Sequence, residues 1–206
     1  MKVVAGSSNL VLATELANQL KTELVPTSIS EFDNGEKRIK VEGKLRGESV
    51  VLVQSLAKPV NDHIVELLLL VDALERLGVA SINAVIPWLA YSLQDKVFLP
   101  GEPISAKVVA DLISNSFIHQ IFLLDLHNSS IPGFFSKPTF HLSFLENFAR
   151  HAEEHIPLDR SIVVSPDFGG LKKARHFADR LKLPLANIDK SRDLTTGEVT
   201  INSLHG

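Results

Sequence analysis

Short runs of β-branched and other apolar residues alternate along this chain with stripes of apolar residues spaced three and four apart. That switching of period constrains the fold more than any other feature. Residues 2–5, 24–32, 49–54, 82–86, 120–126, 161–165 and 184–189 are predicted strands, the second of them broken. Residues 7–20, 61–77, 105–113, 142–155 and 171–181 are predicted helices. Near-continuous apolar strands of four to six residues, separated by helices, belong to a parallel sheet covered on both faces. The predicted fold class is therefore α/β, a parallel-sheet αβα sandwich. A second αβ series starts near Ser143, so residues 1–143 form one complete domain and residues 144–206 an incomplete second one. That second series holds two strands and two helices, too little to bury a core alone, and shows no closing element at 203–206.

Local signals refine the boundaries. A serine is expected near the N-cap of helix 7–20. Asn61 is expected to cap helix 61–77, with Ile64, Leu67, Leu68, Val71 and Leu74 on one side and Gly78 closing it. Strand 38–41 is expected to pair with 49–54 in a hairpin-like manner across the turn from Gly43 to Gly47. In a parallel sheet, ligands bind at the carboxyl ends of the strands. Chemistry is therefore sought in the loops 88–103, 127–138, 166–170 and 190–197.

Composition excludes several classes. The 206 residues are 45% hydrophobic and 22% charged, which rules out disorder and low-complexity classes. Lys and Arg number 21 against 24 Asp and Glu, a net charge of -3, so no nucleic acid partner is implied. There is no cysteine, which excludes a disulfide scaffold, thiolate zinc, iron–sulfur ligation and a Cys nucleophile. The start, MKVVAGSSNL, is too quickly polar for a signal h-region. The longest apolar run, 64–80, is broken by Glu66, Asp72, Glu75 and Arg76, so it is a buried helix face and not a membrane span. A cytoplasmic protein with no membrane partner is the expectation.

Four segments carry possible chemistry. Asp125-Leu126-His127, at a strand end, sets a carboxylate and an imidazole two residues apart, a spacing that suits a divalent ion. The competing view is a turn cap with a polar loop histidine. Ser165-Pro166-Asp167-Phe168-Gly169-Gly170 leads from a strand into a helix, where exposed backbone N–H groups meet anions and Asp167 could hold Mg²⁺. The same residues also suit a tight turn with Asp167 as N-cap. Asp189-Lys190-Ser191-Arg192-Asp193, running into Thr195, Thr196 and Gly197, places two cations on a loop that could close over phosphates, or is a solvated turn. Phe32-Asp33-Asn34-Gly35-Glu36 contains the Asn-Gly hairpin signal, which leaves Phe32 and Glu36 unexplained. His151-Ala152-Glu153-Glu154-His155 matches an inverted zinc-peptidase pattern, but at the polar end of a helix just before Pro157 it is read as a solvent face. There is no P-loop and no G-x-G-x-x-G.

Those four loops, in that order, together with Gln54-Ser55, Asn61-Asp62-His63 and Glu102-Pro103-Ile104-Ser105-Ala106-Lys107, resemble the ribose-phosphate pyrophosphokinase (PRPP synthetase) family. The resemblance runs from Ala5-Gly6 to about Val199, and Asp125-Leu126-His127 followed by Ile131, Gly133, Phe134 and Phe135 resembles its divalent-cation signature. It implies a sandwich of phosphoribosyltransferase type and transfer of the β,γ-diphosphoryl group of Mg-ATP to C1 of ribose 5-phosphate. By position it implies His127 and Asp167 as Mg²⁺ ligands and Lys190 and Arg192 as the cations that neutralise the transition state. Phe32, Asn34, Gly35 and Glu36 would lie against adenine, from a neighbouring subunit of a homo-oligomer, and Gln94 and Asp95 along the ATP site. His127, Asp167, Lys190 and Arg192 are thus expected to converge on one triphosphate. Such transfer is mostly positioning and charge stabilisation.

The sequence also departs from the family pattern. Tyr91-Ser92-Leu93-Gln94-Asp95 carries leucine where the family has arginine, Asn34 stands for an aspartate, and Asn128-Ser129-Ser130 replaces Ala-x-Gln. The acidic, glycine-rich PRPP loop that cradles ribose 5-phosphate is not among the 206 residues, so little turnover is expected of this chain by itself. A catalytically silent regulatory or assembly subunit is the alternative, and a phosphoribosyltransferase-like protein is disfavoured by the same absence.

Overall fold

The computed structural model describes residues 1–192 and 199–206, the side chain of Arg192 excepted. It divides into two compact units, Met1–Leu142 and Ser143–Gly206. Six strands of the first unit form one sheet: β1 (Lys2–Ala5), β2 (Leu24–Val25), β5 (Ser49–Val53), β6 (Ser81–Ile86), β7 (Gln120–Leu124) and β8 (Thr139–Leu142). Their order is β2-β1-β5-β6-β7-β8, and every neighbouring pair is parallel. All six carboxyl ends therefore face one way. The chain winds from β1 toward β2 in one direction and from β5 toward β8 in the other, so the switch point lies between β1 and β5.

Strand alternation builds the two faces. Val3, Ala5 and Val53 pack with Ala13 and Ala17 of α1 (Leu10–Gln19) on one side. Val4, Val50, Leu52, Ile82, Ala84, Ile86, Ile121 and Leu123 point to the other. There they meet Leu67, Leu70, Val71 and Leu74 of α2 (Val60–Arg76) and Val109, Ala110 and Ile113 of α3 (Ser105–Ser114). Leu52, Leu67, Ile82 and Ile121 are wholly buried. The α/β sandwich with a parallel sheet is as predicted.

Several details differ from expectation. Residues 37–41 do not pair with 49–54. Instead β3 (Thr27–Glu31) pairs antiparallel with β4 (Lys37–Val41), because the Asn34-Gly35 turn closes that hairpin locally, while β5 is claimed by the sheet between β1 and β6. Pro26 separates β2 from β3. The N-cap of α1 is Asn9, whose side chain accepts from Leu12 N–H; the preceding serines are used elsewhere. Asn61 does not cap α2, since Pro59 holds the cap position and Asn61 Oδ1 instead accepts from the Tyr91 hydroxyl at 2.7 Å. Gly78 does end α2, with φ +74°.

In the second unit α4 (Leu145–His155) and α5 (Leu171–Leu181) accompany a sheet of order β11-β10-β9, with β9 (Val163–Ser165) parallel to β10 (Leu185–Arg192) and β11 (Val199–His205) antiparallel to β10. So residues 203–205 of the segment 203–206, read as lacking a closing element, complete a third strand against β10. Its small cluster is Ala149, Ala152 and Leu181. The predicted loop beginning at 190 starts later than expected: Lys190, Ser191 and the backbone of Arg192 are strand residues paired with 199–201. Residues Asp193, Thr195, Thr196 and Gly197 lie outside the described residues.

Candidate functional site

At the switch point, where an open α/β sheet usually presents a ligand crevice, this chain places its own side chains. Gln54 and Glu66 are both wholly buried. Glu66 accepts from Ser7 N–H at 2.7 Å, from the Ser7 hydroxyl at 2.8 Å and from Gln54 Nε2 at 3.0 Å. Gln54 Oε1 accepts from the Ser8 hydroxyl, which in turn accepts from Ser55 N–H. The backbone of Gly6-Ser7-Ser8 is therefore turned inward onto a carboxylate and an amide, and does not form an anion cradle. Lys37 Nζ reaches Glu66 at 3.5 Å and Glu31 at 3.1 Å, tying the base of the β3–β4 hairpin to α2. Glu31 first, then Glu66, hold the Lys37 ammonium above its usual value. In the sequence this network shows only as the Gln54-Ser55 pair and as Glu66, a charge in the middle of the apolar face of a helix.

The hairpin tip presents Phe32, Asn34, Gly35 and Glu36 together, all exposed. Phe32 N–H donates to the Glu36 carbonyl and Gly35 N–H to the Phe32 carbonyl, both at 2.8 Å, and Asn34 Oδ1 accepts from Glu36 N–H. Gly35 has φ +86°, which the turn requires. The Arg38 guanidinium lies 5.8 Å from the Phe32 ring centroid. The tip thus carries an aromatic plane next to a cation and a carboxylate.

Gln94 and Asp95 lie on the loop between β6 and α3. Gln94 Oε1 accepts from the Ser105 hydroxyl, and its carbonyl from Ala106 N–H, so it is fastened to the start of α3. Asp95 Oδ2 accepts from Asn128 Nδ2 at 2.7 Å, which links this loop to the one after β7. Asn128 was noted in the sequence only as a departure, and its role as that link was not foreseen. His127 is exposed beside it, after Asp125, whose φ is +43°. Leu93 is exposed on the same loop as Asp95.

In the second unit Asp167 follows β9. Its Oδ1 accepts from Gly170 N–H at 2.8 Å, and the Ser165 hydroxyl donates to its carbonyl at 2.7 Å. Its Oδ2 pairs with Lys190 Nζ at 2.9 Å. Lys190 first, then the Gly170 amide, hold the Asp167 carboxyl below the usual carboxylate range. Asp167 shapes the tight turn through Oδ1, but the N-cap position of α5 is held by Gly170 and not by Asp167. Of the residues singled out, the structure joins Asp167 to Lys190, Asp95 to the His127 loop, and the four hairpin residues to one another. His127 belongs to the first unit and Asp167, Lys190 and Arg192 to the second.

Among the described residues no three His, Asp or Glu side chains gather to hold a metal ion by themselves. His151 and His155 stack on an exposed helix face with centroids 4.1 Å apart. Asp167 is a hard oxygen donor with about a third of its side chain exposed. That fits Mg²⁺, which takes one or two carboxylates and keeps waters and phosphate oxygens for the rest. Among the described residues no helix is long and apolar enough to cross a membrane.

The fold and these residues define an α/β chain built on a parallel sheet, with carboxylates and amides on the loops that follow its strands and the Lys190 ammonium near the end of β10. Residues 1–116 match the family described as the N-terminal domain of ribose phosphate pyrophosphokinase, and the chain belongs to that family. It is 45% identical over 192 residues to the ribose-phosphate pyrophosphokinase of Oceanobacillus iheyensis, covering 93% of this chain and 60% of that one. It is 38% identical over 201 residues to that of Helicobacter hepaticus, covering 98% and 65%. The crystal structure of phosphoribosylpyrophosphate synthetase from Mycobacterium smegmatis superposes with a TM-score of 0.87 at 33% identity, over 98% of this chain and 66% of that one. The chain spans 60–65% of the length of these two curated relatives.

Proposed function

We propose that this chain carries the cation- and nucleotide-handling residues of a ribose-phosphate diphosphokinase. In that reaction the C1 hydroxyl of ribose 5-phosphate attacks the β-phosphorus of ATP, the bond from that phosphorus to the oxygen it shares with the α-phosphate breaks, the hydroxyl proton is lost, and AMP leaves. The observation that carries the reading is the Asp167–Lys190 pair: a carboxylate positioned by a backbone amide next to an ammonium, at the carboxyl end of a strand. The likeness to ribose-phosphate pyrophosphokinases supports it. Asp167 and His127 serve Mg²⁺, which would shield phosphate charge and polarise the phosphoryl oxygens. Lys190 and Arg192 neutralise charge developing on the transferred group. Gln94 and Asp95 line the nucleotide. Phe32, Asn34, Gly35 and Glu36 receive adenine from a neighbouring copy: the Phe32 ring offers a stacking face, and the Asn34 amide oxygen, which accepts from Glu36 N–H, keeps a second lone pair for the adenine amino group.

The test is release of AMP from ATP. Weak AMP release, and only when Mg²⁺ and ribose 5-phosphate are both present, is the expected result for this chain by itself, with loss in Asp167→Asn and Lys190→Met. Binding of Mg-ATP without any AMP favours the second reading, a silent regulatory or assembly subunit, which exposed Leu93 supports because it offers no cation to phosphate. Light scattering tests the shared arrangement, and a monomer at all concentrations rules it out.

A further inference from the structure

Lys190 and Asp167 are both assigned to the same chemistry, yet they are bonded to each other. The Asp167 carboxylate is not free to turn away, because Gly170 N–H holds Oδ1 at 2.8 Å and the Ser165 hydroxyl holds its carbonyl. Lys190 is delivered to Oδ2 from β10, at the point where the register with β11 breaks between Asp189 and Lys190. Such a break re-aims a side chain. The two side chains remain 35% and 37% exposed, so ions in solution reach the pair. On one carboxylate oxygen an ammonium at 2.9 Å and a divalent cation at about 2.0–2.1 Å would lie only about 4 Å apart, and the repulsion between them sets the two in competition.

We propose that Lys190 is a built-in competitor of the divalent cation at Asp167, so that cation binding and release of the Lys190 ammonium toward an anionic ligand are a single exchange. The inference rests on the reading of Asp167 as a cation ligand. In this scheme Lys190 sets the affinity of the metal step before it touches phosphate. The ammonium is held in reserve until the cation arrives, and the cation arrives most favourably when a phosphate is present to take the ammonium. Binding of metal and of polyphosphate is then cooperative, with Lys190 as the coupling group.

The experiment is titration of Mn²⁺ into the whole chain without nucleotide, with free Mn²⁺ followed by electron paramagnetic resonance. Lys190→Met is expected to bind the Asp167-dependent Mn²⁺ about two- to fivefold more tightly than the parent, the size that loss of a partly exposed ion pair allows. Asp167→Asn and the double variant are expected to lose that site equally. In parallel, the ¹⁵Nζ resonance of Lys190 should shift on adding Mg²⁺ to the parent and stay put in Asp167→Asn. Asp167-dependent binding that is unchanged or weaker in Lys190→Met overturns the exchange and leaves the reading of Asp167 standing. No Asp167-dependent binding in either protein overturns both. Lys190→Gln is the second variant should Lys190→Met fail to fold.

Discussion

Gly6 lies where the end of β1 passes beneath the Gln54 amide. A Cβ there would sit 2.0 Å from Gln54 Oε1 and 3.0 Å from Glu66 Oε1. Gln54 could yield only by giving up Ser8 and Glu66. Gly6→Ala is therefore expected to cost about 1–3 kcal/mol, read as a lowered urea midpoint with unchanged m-value. Lys37 gives a pH signature. Its folded value is raised, by Glu31 first and then Glu66, so its stabilisation is complete below the unfolded lysine value and is lost as pH rises through the folded one. The stability gap between the parent and Lys37→Met should hold steady from pH 7 to about 9.5 and close above about 10.5. Urea melts across that range check it, and a gap that grows with pH reverses the sign. Neither residue announced this role in the sequence. The charge of Glu66 was visible, but its partners lie 12 to 59 residues away and depend on how strands and helix assemble.

At the scale of elements, period and turn chemistry were the legible part. Helix α5 occupies the predicted residues, and the Asn34-Gly35 turn closes a hairpin. The starts of α3 and α5 fall where predicted, whereas the caps of α1 and α2 were not legible, because several polar residues compete there and packing decides among them: Asn9 over Ser7 and Ser8, Pro59 over Asn61. Two strands escaped notice. β8 has four residues after Pro138, and β11 is exposed along nearly all its length, so neither shows a buried period. β11 exists because β10 offers it a ladder. Helix α5 ends on Lys182 in the left-handed region, φ +56°, where glycine carries no steric penalty. Lys182→Gly is expected to raise stability by about 0.5–1 kcal/mol, measured by thermal unfolding. A loss would mean that the Lys182 side chain holds α5 more than its backbone strains it. Across the helix pair Arg180 binds Glu146 at 2.9 Å and Glu153 at 2.7 Å, joining α5 to α4 where their apolar contact is small.

Across the whole molecule, stability is unevenly spread. The first unit buries Leu52, Leu67, Leu70, Leu74, Ile82, Ile86 and Ile121 in one cluster, whereas the buried residues of the second unit's cluster are two alanines and Leu181. Ile82→Ala should cost about 2–5 kcal/mol, while Ile201→Ser, at 69% exposed, should change stability by less than about 0.5 kcal/mol. Hydrogen exchange should find the slowest amides in β5 and β6 and faster ones in β9. Equal protection in both units contradicts that ranking.

The amino-acid sequence alone determined the alternation of strands and helices, the hairpin turn, and the set of residue types available for chemistry. These are local properties, written in the spacing of apolar residues and in the torsion preferences of Asn, Gly and Pro. Only the tertiary structure decided which charges meet. It filled the switch point with Gln54 and Glu66, carried β10 past Lys190, and set that ammonium on Asp167. Such pairings join residues far apart in the chain, and their selection depends on strand register and desolvation, which no local pattern encodes.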